Sequence, residues 1–148
     1  MFLSLEERME VAIRYFSRSG NTKKLAEAIG KELGILPETV DVPLERDVDV
    51  LFLGSSVYAY GLDENVRRFI EENTHRIGIV YNFSTAAIIK STYSYVKKLL
   101  QAQGIKLADK EFYCRGEFGP LHRGKPGERD IKQVRVFAAN ALESWDKQ

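Results

Sequence analysis

A short polar segment, residues 17–22, carries side chains well suited to bind an anion. It reads Ser-Arg-Ser-Gly-Asn-Thr, so hydroxyl and amide groups surround a single glycine between an apolar run and an amphipathic stretch. Gly20 permits a turn with positive φ, and the amides that open the following helix are unpaired donors at the positive end of its dipole. A phosphate group fits such a loop. The alternative is that Ser19 or Asn21 simply caps the helix.

Other phosphate and thiol chemistries are excluded by spacing. The Walker pattern Gly-x-x-x-x-Gly-Lys-Ser/Thr and the dinucleotide pattern Gly-x-Gly-x-x-Gly do not occur in the chain. Cys114 is the one cysteine and lies on a predicted strand, which excludes an intrachain disulfide, a Cys-rich metal site and a thiol-dependent phosphatase loop. We therefore predict neither a metal site nor a set of catalytic acid and base residues.

Alternating strands and helices position the polar loop. Apolar runs of five to ten residues alternate with stretches in which apolar residues recur every three or four positions. A continuous apolar run, residues 50–53, is typical of a strand covered on both faces. The predicted strands are 11–16, 39–44, 48–57, 77–83 and 111–115. The first predicted helix runs from the first loop to residue 33, the second begins at residue 63 or 64, and the last two span 91–103 and 130–145.

This order predicts an α/β fold, a three-layer α/β/α sandwich around a five-stranded parallel sheet, because right-handed crossovers place helices on both faces. The length of 148 residues suits a single domain over residues 1–148. Ligands of such sheets bind beyond the carboxyl ends of the strands. Three predicted loops meet there: residues 17–22, 56–61 and 84–87.

Composition and net charge exclude some classes of binding partner. Hydrophobic residues make up 44% of the chain and charged residues 29%, as in globular domains, and the formal net charge is +1. That balance predicts no nucleic-acid partner, and no apolar run is long enough for membrane insertion. The first ten residues lack the basic start and long apolar stretch of a secretory signal. We therefore expect a cytoplasmic protein.

Several segments together resemble the flavodoxin family. They are Tyr-Phe-Ser-Arg-Ser-Gly-Asn-Thr at 15–22, Val-Leu-Phe-Leu-Gly-Ser-Ser at 50–56, Asn-Phe-Ser-Thr at 82–85 and Tyr-Cys-Arg-Gly-Glu-Phe at 113–118. The resemblance covers nearly the whole chain in the short-chain form and implies the flavodoxin-like strand order 2-1-3-4-5.

The resemblance also implies FMN as a non-covalent cofactor, with its phosphate in the first loop and its ring between the second and third loops. Tyr58 or Tyr60 would supply the aromatic surface, with Tyr60 favoured because it adjoins Gly61. The residues implied to bind the cofactor are Ser17, Arg18, Ser19, Gly20, Asn21, Thr22, Ser56, Tyr58, Ala59, Tyr60, Gly61, Ser84, Thr85, Ala86 and Ala87.

Function follows from the cofactor, since flavin chemistry needs position and electrostatics more than protein acids and bases. The first hypothesis is an FMN-binding electron-transfer protein that shuttles electrons between redox partners. The alternative is an FMN-dependent oxidoreductase acting on a quinone or another small acceptor, because residues 58–62 and 65–70 look similar to the quinone-linked, protoporphyrinogen-oxidising branch of the fold. A third class, a binding module without flavin, predicts an empty site. The partner is thus a redox protein or a small-molecule electron acceptor.

Overall fold

The order of strands and helices along the chain follows the prediction, except that an additional short strand, Lys106–Leu107, precedes the last one. The computed structural model describes residues 9–57 and 61–146. A short 3-10 turn, Thr74–Arg76, precedes the fourth strand. The strands are β1 (Val11–Tyr15), β2 (Glu38–Thr39), β3 (Val48–Ser56), β4 (Ile77–Ala86), β5 (Lys106–Leu107) and β6 (Phe112–Arg115), and the helices are α1 (Asn21–Leu33), α2 (Glu64–Asn73), α3 (Tyr93–Gln103) and α4 (Glu128–Asp146).

The strands form one parallel sheet in the order β2-β1-β3-β4-β5, and β6 also pairs with β4. β5 pairs with the beginning of β4 at Ile79 and Val80, whereas β6 pairs with its end from Phe83 to Ala86. Two short strands in succession therefore occupy the fifth position of the sheet. The predicted order 2-1-3-4-5 is confirmed.

β3 lies at the centre of the sheet, and its side chains alternate between two cores. Val50 and Phe52 belong to the cluster that α1 and α4 cover, while Leu51 and Leu53 belong to the cluster under α2 and α3. All four side chains are fully buried. Burial of each stabilises the fold by about 1.5–3 kcal/mol. The two cores make the predicted three layers, and no helix in the described ranges is long and apolar enough to cross a bilayer.

Arg14 is a buried charge on the central strand β1, and the stretch after β2 explains it. Its guanidinium donates to the carbonyls of Val42 at 2.8 Å and Pro43 at 3.2 Å and lies 3.4 Å from a carboxylate oxygen of Glu38. Desolvation lowers the pKa of Arg14, which the negative charge of Glu38 partly offsets. The predicted strand over residues 39–44 is wrong beyond Thr39, because β2 spans Glu38–Thr39 and the carbonyls of residues 42 and 43 accept from the Arg14 side chain rather than from a neighbouring strand.

A cavity at the carboxyl ends of the strands

A cavity of about 250 Å³ lies at the carboxyl ends of the strands, where the three predicted loops meet. Its lining is mostly apolar, with polar groups on the side of the first loop. Six of the predicted site residues line it: Ser19, Asn21, Ser56, Thr85, Ala86 and Ala87. The sequence reasoning did not include Val57, Ile88, Ile89, Tyr95, Gly116, Glu117 and Phe118, which complete the lining.

The first loop turns tightly into α1. The amide of Gly20 donates to Ser17 Oγ at 3.0 Å, and Gly20 takes the left-handed conformation with φ of 90° at the N-cap. A glycine cannot cap the helix with a side chain, and the first turn of α1 contains no acidic residue. The Asn21 amide donates to Ser19 Oγ at 3.5 Å, and the other amides of this first turn are donors that an anion could use.

Thr22 lies beneath the cavity rather than in its lining. Its side chain is buried, with Oγ1 3.0 Å from Thr85 Oγ1 and 3.4 Å from the carbonyl oxygen of Ser55. The hydroxyl therefore ties the start of α1 to β3 and β4. Its backbone amide lies at the helix start, so its N–H, and not its hydroxyl, is the group that an anion there would use.

Arg18 projects away from the cavity toward α2. Its guanidinium donates to Asp63 Oδ2 at 2.9 Å, and Asp63 Oδ1 caps α2 by accepting from the Asn65 amide at 2.8 Å. Burial by itself would raise the pKa of Asp63, but the hydrogen bonds from Asn65 and Arg18 outweigh it and hold that pKa below its usual value. The pair links the first loop to the second.

Ser56 is the last residue of β3 and carries an unused hydrogen-bonding group. Its Oγ is buried, lines the cavity and has no hydrogen-bond partner among the described residues. A buried hydroxyl without a partner costs about 1–3 kcal/mol, so its presence here favours a ligand that completes it.

Part of the second loop lies outside the described residues. Tyr58, Ala59 and Tyr60, which include the predicted aromatic surface, belong to that part. Gly61 is described and lies against the ring of Tyr95, in the first turn of α3. Tyr95 is 40% exposed and provides an aromatic wall that the sequence reasoning missed.

The third predicted loop is mostly strand. Ser84, Thr85 and Ala86 extend β4, because the end of β3 pairs with them on one side and β6 on the other. Ser84 is buried, and its Oγ accepts from the Thr92 amide at 3.3 Å, so its side chain belongs to the core. Of the four predicted residues, Ala87 alone lies beyond the strand.

The last loop, residues 116–127, returns to the cavity and closes one side. Asn21 Nδ2 donates to the carbonyl of Glu117 at 2.9 Å, which joins the first and last loops. Gly116 permits this approach, since an added Cβ would lie 2.8 Å from Asn21 Nδ2 and 3.2 Å from Thr85 Cβ. Phe118, 57% exposed, adds a second described aromatic side chain to the cavity.

Two basic side chains fix the segment after β4. Arg115 Nη1 donates to the carbonyls of Ala87 at 3.1 Å and Ile89 at 2.9 Å, and His122 Nε2 lies 3.0 Å from the same Ala87 oxygen. These contacts hold the cavity wall from the outside. Cys114, next to Arg115, takes no part, because burial and the charge of Asp130 raise its thiol pKa to about 12.

Comparisons with solved structures agree with this geometry. A flavodoxin from the domain Archaea superposes with a TM-score of 0.76 at 20% identity, over 93% of this chain and 99% of that one. Oxidised flavodoxin 1 from Bacillus cereus gives 0.67 at 18% identity, over 90% and 97%. A flavoprotein in complex with FMN from Lactobacillus acidophilus NCFM gives 0.57 at 19% identity, over 72% and 93%.

Sequence comparison adds the family. No curated protein sequence matches the chain. The family model described as "Flavodoxin domain" matches residues 12–118, which include the first loop, the cavity wall after β4 and the start of the last loop. The chain therefore belongs to the flavodoxin family.

Proposed function

We propose that the protein binds FMN non-covalently in the cavity and transfers electrons between redox partners. The observation that carries the proposal is the composition of one cavity, where a helix that begins without a side-chain cap at Gly20 and the hydroxyl of Ser56, which has no partner among the described residues, lie beside a mostly apolar space. The flavoprotein from Lactobacillus acidophilus, whose structure contains FMN, has the same fold.

The polar end of the cavity suits a phosphate. Ser19 and Asn21 line it, and the backbone amides of the first turn of α1 are directed to the same side. A phosphate dianion gains from several amide donors and from the positive end of the helix dipole. We assign the phosphate to residues 17–22, with Ser17 shaping the turn and Thr22 contributing its amide.

The apolar end suits a flat aromatic ring. Tyr95, Phe118 and Ile88 offer planar or aliphatic surfaces, while Ser56 Oγ and the backbone of Ala87 offer polar groups for a ring edge. Tyr58, Ala59, Tyr60 and Gly61 remain assigned to the ring as predicted. A ring between aromatic and aliphatic walls is held mainly by burial of its faces.

The chain's contribution to electron transfer is position and environment. The FMN ring, when bound, supplies the one- and two-electron chemistry. Glu117 is the one ionisable side chain of the described lining that carries a carboxylate, and its Oε1 already accepts from the Gly124 amide at 2.7 Å. The rest of the described cavity wall is uncharged and mostly apolar.

The second candidate is an FMN-dependent oxidoreductase that reduces a quinone or another small acceptor. A second cavity, of about 380 Å³, runs between α2 and α3; Gly61 and Tyr95 line it, and Tyr95 also lines the first cavity. A small acceptor could lie there, beside the ring end of the flavin site. A cytoplasmic location is part of both proposals.

Absorption spectroscopy tests the proposal. The purified protein is loaded with FMN, freed of excess and titrated without oxygen, first with dithionite and then with NADH or NADPH. Retained flavin that dithionite bleaches and the nicotinamides do not supports the carrier, and bleaching by a nicotinamide supports the oxidoreductase. A protein that retains no flavin contradicts both.

A further inference from the structure

Exposed apolar side chains concentrate around the mouth of the cavity. Among the described residues, eight large apolar side chains are exposed, and four of them lie here. Ile88, Tyr95 and Phe118 line the cavity, and Leu121 exchanges two backbone hydrogen bonds with Phe118 at 3.0 Å each. Ile88 is 79% exposed, the largest value of the eight. Clustered exposure of this kind marks an interaction site rather than scattered surface residues.

Several cations lie on the two segments that carry this apolar patch. Residues 87–92 and 115–127 contain Lys90, Arg115, Arg123 and Lys125. The carboxylates beside them are Glu117, Glu111, which accepts from Ser91 Oγ at 3.1 Å, and Asp130, which lies 3.8 Å from Lys125. Within the described ranges, Lys90, Arg115 and Arg123 are exposed and have no carboxylate within the 4.0 Å of an ion pair, whereas Glu117 is the one exposed carboxylate of the three.

These cations are not needed for the FMN phosphate, which is assigned to the first loop. Arg115 directs its guanidinium to the carbonyls of Ala87 and Ile89, outside the cavity, and Lys90 Nζ lies 5.2 Å from the centre of the Tyr113 ring. The cations therefore lie outside the cavity, on the same two segments as Ile88 and Phe118 of its apolar wall.

The apolar patch is fixed in shape before any partner arrives. The Glu117 amide donates to the Lys125 carbonyl at 2.9 Å, and the paired backbone bonds between Phe118 and Leu121 close the tip of the last loop. His122 and Arg115 attach that loop to the segment after β4. A preformed surface loses little conformational freedom on binding.

From these observations we infer that the ring end of the cavity docks an acidic face of a one-electron redox protein. The inference rests on the proposed function. The apolar patch of Ile88, Phe118 and Leu121 meets the partner's centre, and Lys90 and Arg123 meet carboxylates at its rim. Each partner molecule gains one electron, so two are reduced for each reduced flavin that is reoxidised, with its protons released to water.

The test measures stopped-flow oxidation of the FMN-loaded, dithionite-reduced protein by two haem proteins of opposite charge. Cytochrome b5 serves as the acidic probe and cytochrome c as the basic one, at ionic strengths of about 0.01 M and 0.15 M, where screening differs strongly. We expect faster oxidation by the acidic probe, with a rate constant that falls as salt rises. For Lys90→Glu with Arg123→Glu we expect a loss of about tenfold at low salt, within the range of electrostatic steering.

The matched control reverses two cations at the opposite end of the sheet, Arg76→Glu with Lys106→Glu. Arg76 immediately precedes β4, and Lys106 pairs with Ile79 near the amino-terminal end of β4. This variant has the same net charge as the test variant, and we expect less than a twofold change with the acidic probe. FMN retention is measured first on every variant, so that loss of the cofactor is recorded separately from loss of docking.

The outcomes are distinct. If the unsubstituted protein retains no FMN, the proposed function and the inference both fail. If FMN is retained but the acidic probe reacts faster as salt rises, or reacts equally with the test variant, the docking inference alone is overturned. Ferricyanide, a small trivalent anion, is run in parallel. A rate loss with ferricyanide but not with the acidic haem protein assigns the cations to a small anionic acceptor and overturns protein docking.

Discussion

Ser56→Ala is expected to stabilise the free protein while weakening its affinity for FMN. In the protein without cofactor, Ser56 Oγ is buried and has no partner among the described residues, and such a group costs about 1–3 kcal/mol. Removal of the hydroxyl abolishes that cost, and the protein loses only the packing contacts of one oxygen atom. We expect a gain of about 1 kcal/mol in the free energy of unfolding, which corresponds to roughly 3 °C in Tm for a chain of this length.

When FMN is bound, the same substitution is expected to destabilise the protein rather than stabilise it. If FMN completes the hydroxyl, the substitution costs the FMN-bound protein about 0.5–1.5 kcal/mol. Added to the gain of about 1 kcal/mol in the free protein, this weakens binding by about 1.5–2.5 kcal/mol, so the Kd for FMN rises between about tenfold and seventyfold. Urea unfolding of the apoprotein measures the first effect, and quenching of FMN fluorescence on titration measures the second. With FMN in excess, the variant should gain less in Tm from the ligand than the unsubstituted protein does.

Ser55→Ala is the matched control, one residue earlier on the same strand. Ser55 is equally buried, but its Oγ donates to Thr92 Oγ1 at 3.0 Å. This substitution removes a satisfied bond, so it should lower the free energy of unfolding by about 0.5–1.5 kcal/mol and leave the Kd for FMN nearly unchanged. The reasoning is refuted if the two variants lose stability alike, or if Ser56→Ala binds FMN as tightly as the unsubstituted protein.

Three further expectations concern the same framework. Gly116→Ala places a Cβ against Asn21 and Thr85, so the Kd for FMN should rise at least tenfold. Gly127→Ala should bind FMN normally, because the nearest atom to its added Cβ is 3.5 Å away. Arg14→Met leaves the Val42 and Pro43 carbonyls without their donor, and urea unfolding should show a loss of about 2–3 kcal/mol with FMN affinity retained. The pKa of Asp63 is lower in the folded protein than its unfolded value near 3.8, so the ionised carboxylate contributes stability that is complete above that value and is lost as pH falls through the folded pKa. The Tm difference between the unsubstituted protein and Asp63→Asn should therefore vanish below that range. A Tm difference that stays constant with pH would contradict this role of Asp63.

The layered fold was predictable because its signals are local. The apolar run Val50 to Leu53 identified the central strand, and the polar loop around Gly20 marked the turn into α1. Asp63 identified the start of α2 by the residue type that caps helices. Each of these features depends on fewer than about ten consecutive residues, which is the range over which periodicity and capping operate.

The boundary of β4 was not predictable in the same way. Ser84 and Thr85 are polar residues that usually favour loops, but they continue the strand because Ser55 and Ser56 pair with them on one side and Tyr113 and Cys114 on the other. Their hydroxyl groups are satisfied inside the fold by the Thr92 amide and by Thr22. Pairing between distant segments thus outweighed local preference.

The aromatic wall was missed for a related reason. Tyr95 faces the cavity because of the angular position it has in the first turn of α3, whereas Tyr93, two residues earlier, directs its hydroxyl to the Ala108 carbonyl at 3.1 Å. A shift of two residues in a helix changes the direction of a side chain by more than half a turn. The packing of α3 against the sheet, which the sequence does not show, therefore decides which tyrosine faces the cavity.

The hydrogen bond from Asn21 to the Glu117 carbonyl spans 96 residues of sequence, and this separation has a consequence for synthesis. The ribosome completes the first loop early, but the wall that Gly116, Glu117 and Phe118 provide is not made until the segment beyond β6 has been translated. Contacts between such distant residues form late, because a long loop must be closed first. Loading of the cofactor is therefore expected to follow translation of this segment, and a nascent chain that stops before residue 116 should not retain FMN.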